Sequence, residues 1–133
     1  MSAWRKRAIE CLPALKREFE DPETSIYGVF MELLHATVAA HRDNDTMQLK
    51  KNYDFAEWCF RQKSDNLWNA AGVSFYEHLG DKTETLEAIH LWVRRDIYTE
   101  IRLLLEQRLD EATLKAIDGL YDLQKGKVKH SYS

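Results

Sequence analysis

The chain has 133 residues, enough for one core and too few for two, so a single domain is expected over residues 1–124, with a flexible basic tail, 125–133, after it. At 44% hydrophobic and 31% charged, with 5 Gly and 2 Pro, the composition excludes a disordered, collagenous or turn-rich all-β protein and suits a soluble helical one. The net charge is −3, but the last nine residues hold three lysines and no acid. The first 124 therefore carry sixteen cations against all twenty-two acids, and an acidic body opposes nucleic-acid binding along a folded face.

Apolar positions recur at helical spacing throughout. A first helix, about Ala3 to Glu20, aligns Trp4, Ala8, Leu12, Leu15 and Phe19, and Pro13 either kinks it or starts a second short helix. Thr24 or Ser25 caps a second helix reaching His41, with Ile26, Phe30, Leu33, Leu34 and Val38 on its stripe. Asp43-Asn44-Asp45 reads as a turn and cap, since it lacks the later Gly and Glu of a calcium loop. The third helix, about Thr46 to Lys63, is apolar on two sides: Leu49, Tyr53 and Phe60 lie along one, while Trp58 and Phe55 lie about 180° and 240° away from Leu49. It is either buried all round or presents Trp58 in an exposed patch.

Asp65 is placed as the cap of a fourth helix through Leu67, Trp68, Ala71, Phe75 and Leu79, which Gly80 ends; Gly72 admits a close neighbour. Thr83 opens a fifth (Leu86, Ile89, Val93), Asp96 a sixth (Ile97, Ile101, Leu104, Leu105) and Asp110 a seventh (Leu114, Ile117, Tyr121). The fold expected is all-α, six or seven short amphipathic helices in a compact bundle or a HEAT-like stack of helical hairpins. Leu12, Leu15, Phe19, Phe30, Leu33, Leu34, Phe60, Trp68, Ala71, Phe75, Leu79, Ile101, Leu104 and Leu105 are its expected core.

Chemistry is sparse. Glu32-Leu33-Leu34-His35 and Glu87-Ala88-Ile89-His90 are Glu-x-x-His units that, with Glu18 and Glu57, would compose a di-iron carboxylate set. Twelve glutamates and five histidines give about half such a unit by chance, and Glu32 and His35 fall opposite the apolar stripe, so no metal is expected. His41, on the stripe at a helix end, is placed to bond the last carbonyls. Cys11 and Cys59 sit in apolar helical contexts and read as reduced thiols with no histidine at a local spacing to activate Cys59. Gly-x-Ser-x-Gly and phosphate-cradling glycine loops are missing, and no catalytic residue or cofactor is expected. The opening Met-Ser-Ala-Trp-Arg-Lys-Arg leads into no apolar run and no stretch is long enough to span a bilayer, so the protein is expected in the cytoplasm and off the membrane, with Arg5-Lys6-Arg7 a solvated end. Glu77, Asp81, Glu84 and Glu87 form an acidic cluster suited to a partner with a basic surface, with Trp58 as an aromatic anchor.

The segments Cys-Leu-Pro-Ala-Leu-Lys-Arg-Glu (11–18), Tyr-Asp-Phe-Ala-Glu-Trp-Cys (53–59) and Leu-Trp-Asn-Ala-Ala-Gly-Val-Ser-Phe-Tyr-Glu-His-Leu (67–79) resemble small all-helical bacterial proteins of uncharacterised families, over residues 10 to 109. Some of these occur beside polymorphic toxins and are regarded as immunity proteins. The resemblance implies a non-enzymatic protein that neutralises a cognate toxin by covering its active site, and it transfers no site residue. Two other readings stand beside it: a helical adaptor or scaffold with another partner, and a small metal- or ligand-binding helical enzyme using the Glu-x-x-His pairs.

Overall fold

Pro13 divides the first amphipathic stretch. In the computed structural model, which describes the backbone of residues 1–132 and the side chains of residues 1–124 apart from Asp65, α1 (Ala3–Cys11) stops short of the proline. Pro13–Leu15 form a 3-10 turn with the proline at its first position, where the missing N–H costs nothing, and α2 (Lys16–Glu20) follows. Arg5 is no solvated end. Its Nη1 donates to the carbonyls of Phe19 (2.6 Å) and Asp21 (2.9 Å) and its Nη2 to that of Thr24 (3.0 Å), so the guanidinium fork ties α1 to the end of α2.

Ser25 caps α3 (Ile26–Arg42) by accepting from Gly28 N at 3.2 Å. Asn44 takes the left-handed conformation, φ 53°, in the turn that follows, and Asp45 caps α4 (Thr46–Phe60) by accepting from Gln48 N at 3.1 Å. Ser64, rather than Asp65, occupies the cap position of α5 (Asp65–Ser74). This helix ends five residues before Leu79. A 3-10 segment, Tyr76–Asp81, carries the chain on, which lets the adjacent Phe75 and Tyr76 both turn inward.

Gly80 does not end a helix in a left-handed turn. Its φ is not positive, and a Cβ there would come within 2.9 Å of Leu109 Cδ2, so the residue is small to admit Leu109. The expected fifth helix is two single turns, α6 (Thr83–Leu86) and α7 (Ile89–Trp92), before α8 (Arg95–Leu105) and α9 (Glu111–Tyr132). Asp110 caps α9 through Thr113 N at 2.7 Å. The α9 backbone runs on through the lysine-rich segment assigned to a flexible tail; the side chains of 125–132, and Ser133, lie outside the described residues. The described residues thus form nine α-helices and no strand, an all-α fold with more and shorter helices than the periodicity drew.

The third predicted helix is the hub. As α4 it packs against α1, α3 and α5, and Leu49, Tyr53, Phe55, Ala56, Cys59 and Phe60 are all buried, which explains apolar residues on both its sides. Phe19, Phe30, Leu33, Ala71, Phe75, Leu79, Ile101 and Leu105 join them in the core as expected, with Leu12, Leu15 and Leu34 packed on its edge. Trp68 is not core: 48% of it is exposed. On a helix as short as α5 the inner face is taken by Ala70 and Ala71, and the indole stands on the flank facing α8.

One buried polar network escaped the periodicity. Asn52, fully buried, donates to Thr37 Oγ1 (3.1 Å) and accepts from Gln48 Nε2 (2.7 Å) and the Cys11 thiol (3.3 Å), while Thr37 donates to Leu33 O (2.7 Å). These bonds pin α1, α3 and α4 in register and keep every polar atom of the cluster satisfied.

Candidate protein-docking groove

Gly72 sets the distance between α5 and α8. A Cβ at this position would meet Leu104 Cδ1 at 3.3 Å and Phe60 Cε1 at 3.9 Å, so the glycine lets the helices close while Leu104 remains part-exposed at the seam. On α8 the inner stripe is Ile97, Tyr98, Ile101 and Leu105, which leaves Leu103 on the outer side. The two helices therefore bound an open groove of about 410 Å³ whose walls are almost wholly apolar: Phe60, Trp68, Gly72, Val73, Leu103 and Leu104. Leu103 is 69% exposed, and the Trp68 ring, centred 5.9 Å from that of Phe60, stands as the opposite rim.

Past Trp68 the groove continues into a polar end at Arg61 and Glu100. Arg61 is fixed there by Asp96 (2.9 Å) and Glu57 (2.9 Å), whose carboxylates raise its already high pKa; Asp96 is in turn held below the usual carboxylate range by the guanidinium. An apolar trough ending at an ion-paired arginine is a shape that takes an apolar side chain or helix ridge from another protein. It provides no nucleophile or acid–base pair.

The residues singled out by sequence do not meet here. Trp58 is half-buried on the core edge, with the Arg7 guanidinium 4.3 Å from its ring centroid, so a cation lies over the face an interface anchor would offer. Glu77 and Asp81 both face Arg108, at 3.5 and 3.7 Å, Asp81 also takes His78 Nδ1 at 2.7 Å, and Glu84 is bound by Arg42. Glu87 alone is exposed without a partner among the described residues. Three of the four acids are thus ion-paired, with two arginines 31 and 42 residues distant in sequence from Glu77 and Glu84 respectively, which no local pattern reveals.

His41 does not bond the α3 carbonyls: Nε2 lies 2.9 Å from the Tyr53 hydroxyl, because α4 brings that phenol closer than the helix end, and burial lowers its pKa. Cys11 and Cys59 are free and buried, and burial pushes both thiols up to about 12, which keeps them protonated and unreactive. Glu32 and His35 lie on α3, Glu87 precedes α7 and His90 lies on it, and Glu57 is engaged by Arg61 and Arg94. Among the described residues no three His, Cys, Asp or Glu side chains are grouped to hold a metal ion. No described helix is long and apolar enough to cross a membrane.

Fold and groove together define a small all-α protein with an apolar surface trough. The family model described as "Domain of unknown function (DUF7674)" matches residues 5–110, and the chain belongs to that family. No curated protein and no solved structure matches it. The matched span ends just before α9.

Proposed function

We propose that the protein is a non-enzymatic binding module that neutralises a cognate bacterial toxin, acting as an immunity protein in the cytoplasm, and that the α5/α8 groove is where the toxin docks. The observation that carries this is the groove itself: two large apolar side chains, Trp68 and Leu103, stand exposed on either side of an apolar trough beside a fixed charge. Tryptophan, with tyrosine and arginine, is enriched among the anchors of binding hot spots. Burying the rest of the two side chains would contribute roughly 1–3 kcal/mol each. The resemblance of the 11–18, 53–59 and 67–79 segments to small all-helical bacterial proteins of uncharacterised families, some of them regarded as immunity proteins, supports the choice of partner. Placing the anchor at Trp68 rather than Trp58 follows from the Arg7 cover on the latter.

The test is a binding titration between the purified protein and the product of the gene beside its own. Trp68→Ala and Leu103→Asp are each expected to raise Kd about tenfold or more with the melting temperature nearly unchanged, and to abolish protection of cells expressing that product. A complex that forms equally well with both variants would remove the groove from the interface. Absence of any complex would remove the immunity reading.

A further inference from the structure

Three tyrosines face a second cleft, of about 430 Å³, bounded by α4, α7, the start of α8 and α9. Two of their hydroxyls are engaged within the fold. Tyr53 meets His41 Nε2, and Tyr121 shares its proton between the carbonyls of Ile89 (3.1 Å) and Val93 (2.7 Å). Tyr76 is different. Only 1% exposed, with its ring edge-on to Phe60 and Phe75, it finds no hydrogen-bond partner for its hydroxyl among the described residues. No fully enclosed side-chain nitrogen or oxygen among those residues lacks a partner, so this hydroxyl opens onto the cleft it lines. Burial first, then the nearby Glu57 charge, holds the phenol well above its ordinary range, and it stays a proton donor at neutral pH.

The rim supplies charge and the wall a flat surface. Arg94 and Arg95 stand at the mouth, and the carboxylate of Glu57 is shared between Arg94 (2.8 Å) and Arg61 (2.9 Å). Lys50 is matched by Asp54 at 2.7 Å, whereas Arg95 reaches only an exposed acid outside the cleft, Asp122, at 3.2 Å. Arg61 is matched by Asp96 as well, so what leaves the mouth electropositive is the lining itself, where Lys50, Arg94 and Arg95 face Asp54 and Glu57, a surplus of one cation. Within the cleft Trp92 stacks on Tyr53, ring centroids 5.4 Å apart and 14° from parallel. The volume is that of a small-molecule site.

We propose that this cleft binds a small organic anion, a carboxylate or phosphate monoester carried on a flat ring, whose ring lies along Trp92, whose polar ring substituent accepts from Tyr76 and whose charge is met by Arg94 and Arg95. The site adjoins the polar end of the docking groove at Ile97 and the Glu57–Arg61 pair, but none of its proposed contacts uses Trp68 or Leu103. Its chemistry is recognition alone: a buried donor for one polar atom, guanidinium forks for the anion, and an aromatic wall for the ring.

The experiment is a chemical-shift titration of the full chain with 4-hydroxybenzoate and with 4-hydroxyphenyl phosphate, against 4-hydroxybenzamide as the neutral control. Saturable shifts of the Trp92 indole N–H and the Arg94 and Arg95 amides are expected for at least one anion, with Kd below about 1 mM, and the amide should bind about tenfold more weakly or worse. Which anion saturates assigns the head group. Tyr76→Phe keeps the packed ring and should weaken binding about fivefold or more; Arg95→Gln, at the surface, should do the same if Tyr76→Phe proves unstable. Trp68→Ala should leave the titration unchanged. Failure of both anions to saturate, equal binding of the amide, or wild-type affinity in both Tyr76→Phe and Arg95→Gln overturns the proposal.

Discussion

Phe75 is enclosed by rings on three sides, with centroids 6.0 Å from Phe30, 5.7 Å from Tyr53 and 5.4 Å from Tyr76, and none of it is exposed. Its truncation to alanine leaves a cavity those rings cannot fill, and urea unfolding should register a loss of about 3–5 kcal/mol. Trp68→Ala, by contrast, removes a half-exposed indole and should cost less than about 1 kcal/mol in the same measurement. The sequence placed both residues in the core because a 100° phase tells which side of a helix a residue occupies but not where that side meets its neighbour. The same limit hid Asn52, a polar residue on the buried side of α4 whose partners come from α1 and α3. His41 gives a residue-scale pH dependence. Burial lowers its pKa below the ordinary 6.5, with Glu84 partly opposing, so the unfolded chain binds the extra proton. Stability should therefore rise with pH up to about 6.5 and fall as pH drops below it, and His41→Gln should flatten the curve just below pH 6.5. A slope that survives the substitution would place the titrating group elsewhere.

Two four-residue helices, α6 and α7, have no stability of their own, since a single turn fixes more backbone than its bonds reward. They are held from outside. Thr85, fully buried, donates to the carbonyls of Leu79 and Lys82 ahead of α6, while Tyr121 and Gln124 of α9 bond the carbonyls of Ile89, Val93 and His90 around α7. A periodicity argument joins Leu86, Ile89 and Val93 into one helix because all three do face inward, and it does not register that the backbone between them turns more tightly, through a local bond from Ala88 N to Thr85 O. Among caps and breakers the reading is mixed, failing at Asp65 and Gly80 and holding at four positions. Pro13, Ser25, Asp45 and Asp110 act where their local chemistry places them, since each works on backbone groups within three residues. Tyr121→Phe tests the clamp: it removes the donor to the Val93 carbonyl, while the Ile89 carbonyl keeps its bond from Val93 N. A stability loss of about 1–3 kcal/mol is expected, with faster hydrogen exchange confined to α7 and the residues flanking it. Uniformly faster exchange would show instead that α7 opens only with the whole fold.

Charge is spread over the molecule as paired surface groups: Arg102 with Asp118 at 2.7 Å, Arg61 with Asp96, Arg42 with Glu84, Arg108 with Glu77 and Asp81. Such pairs contribute little each and are screened by salt, so the fold rests on its aromatic core. The pairing also separates the two surfaces offered for a partner. An acidic field strong enough to steer a basic toxin needs unpaired carboxylates, and of the four residues read from the sequence only Glu87 has no partner among the described residues. The groove, which the sequence hid by placing Trp68 and Leu104 in the core and giving Leu103 no role, offers area instead of charge. If it is the docking site, Asp81→Lys combined with Glu87→Lys should slow association by less than about threefold and leave dissociation unchanged, because rim charges act on encounter. Trp68→Ala should leave association nearly unchanged and speed dissociation about tenfold or more, because losing a buried anchor shortens the life of the complex. Stopped-flow association and competitive dissociation, at two salt concentrations, read both rates. A large, salt-sensitive drop in association for the charge reversals with normal dissociation for Trp68→Ala would move the interface from α5 and α8 to the segment from Glu77 to Glu87.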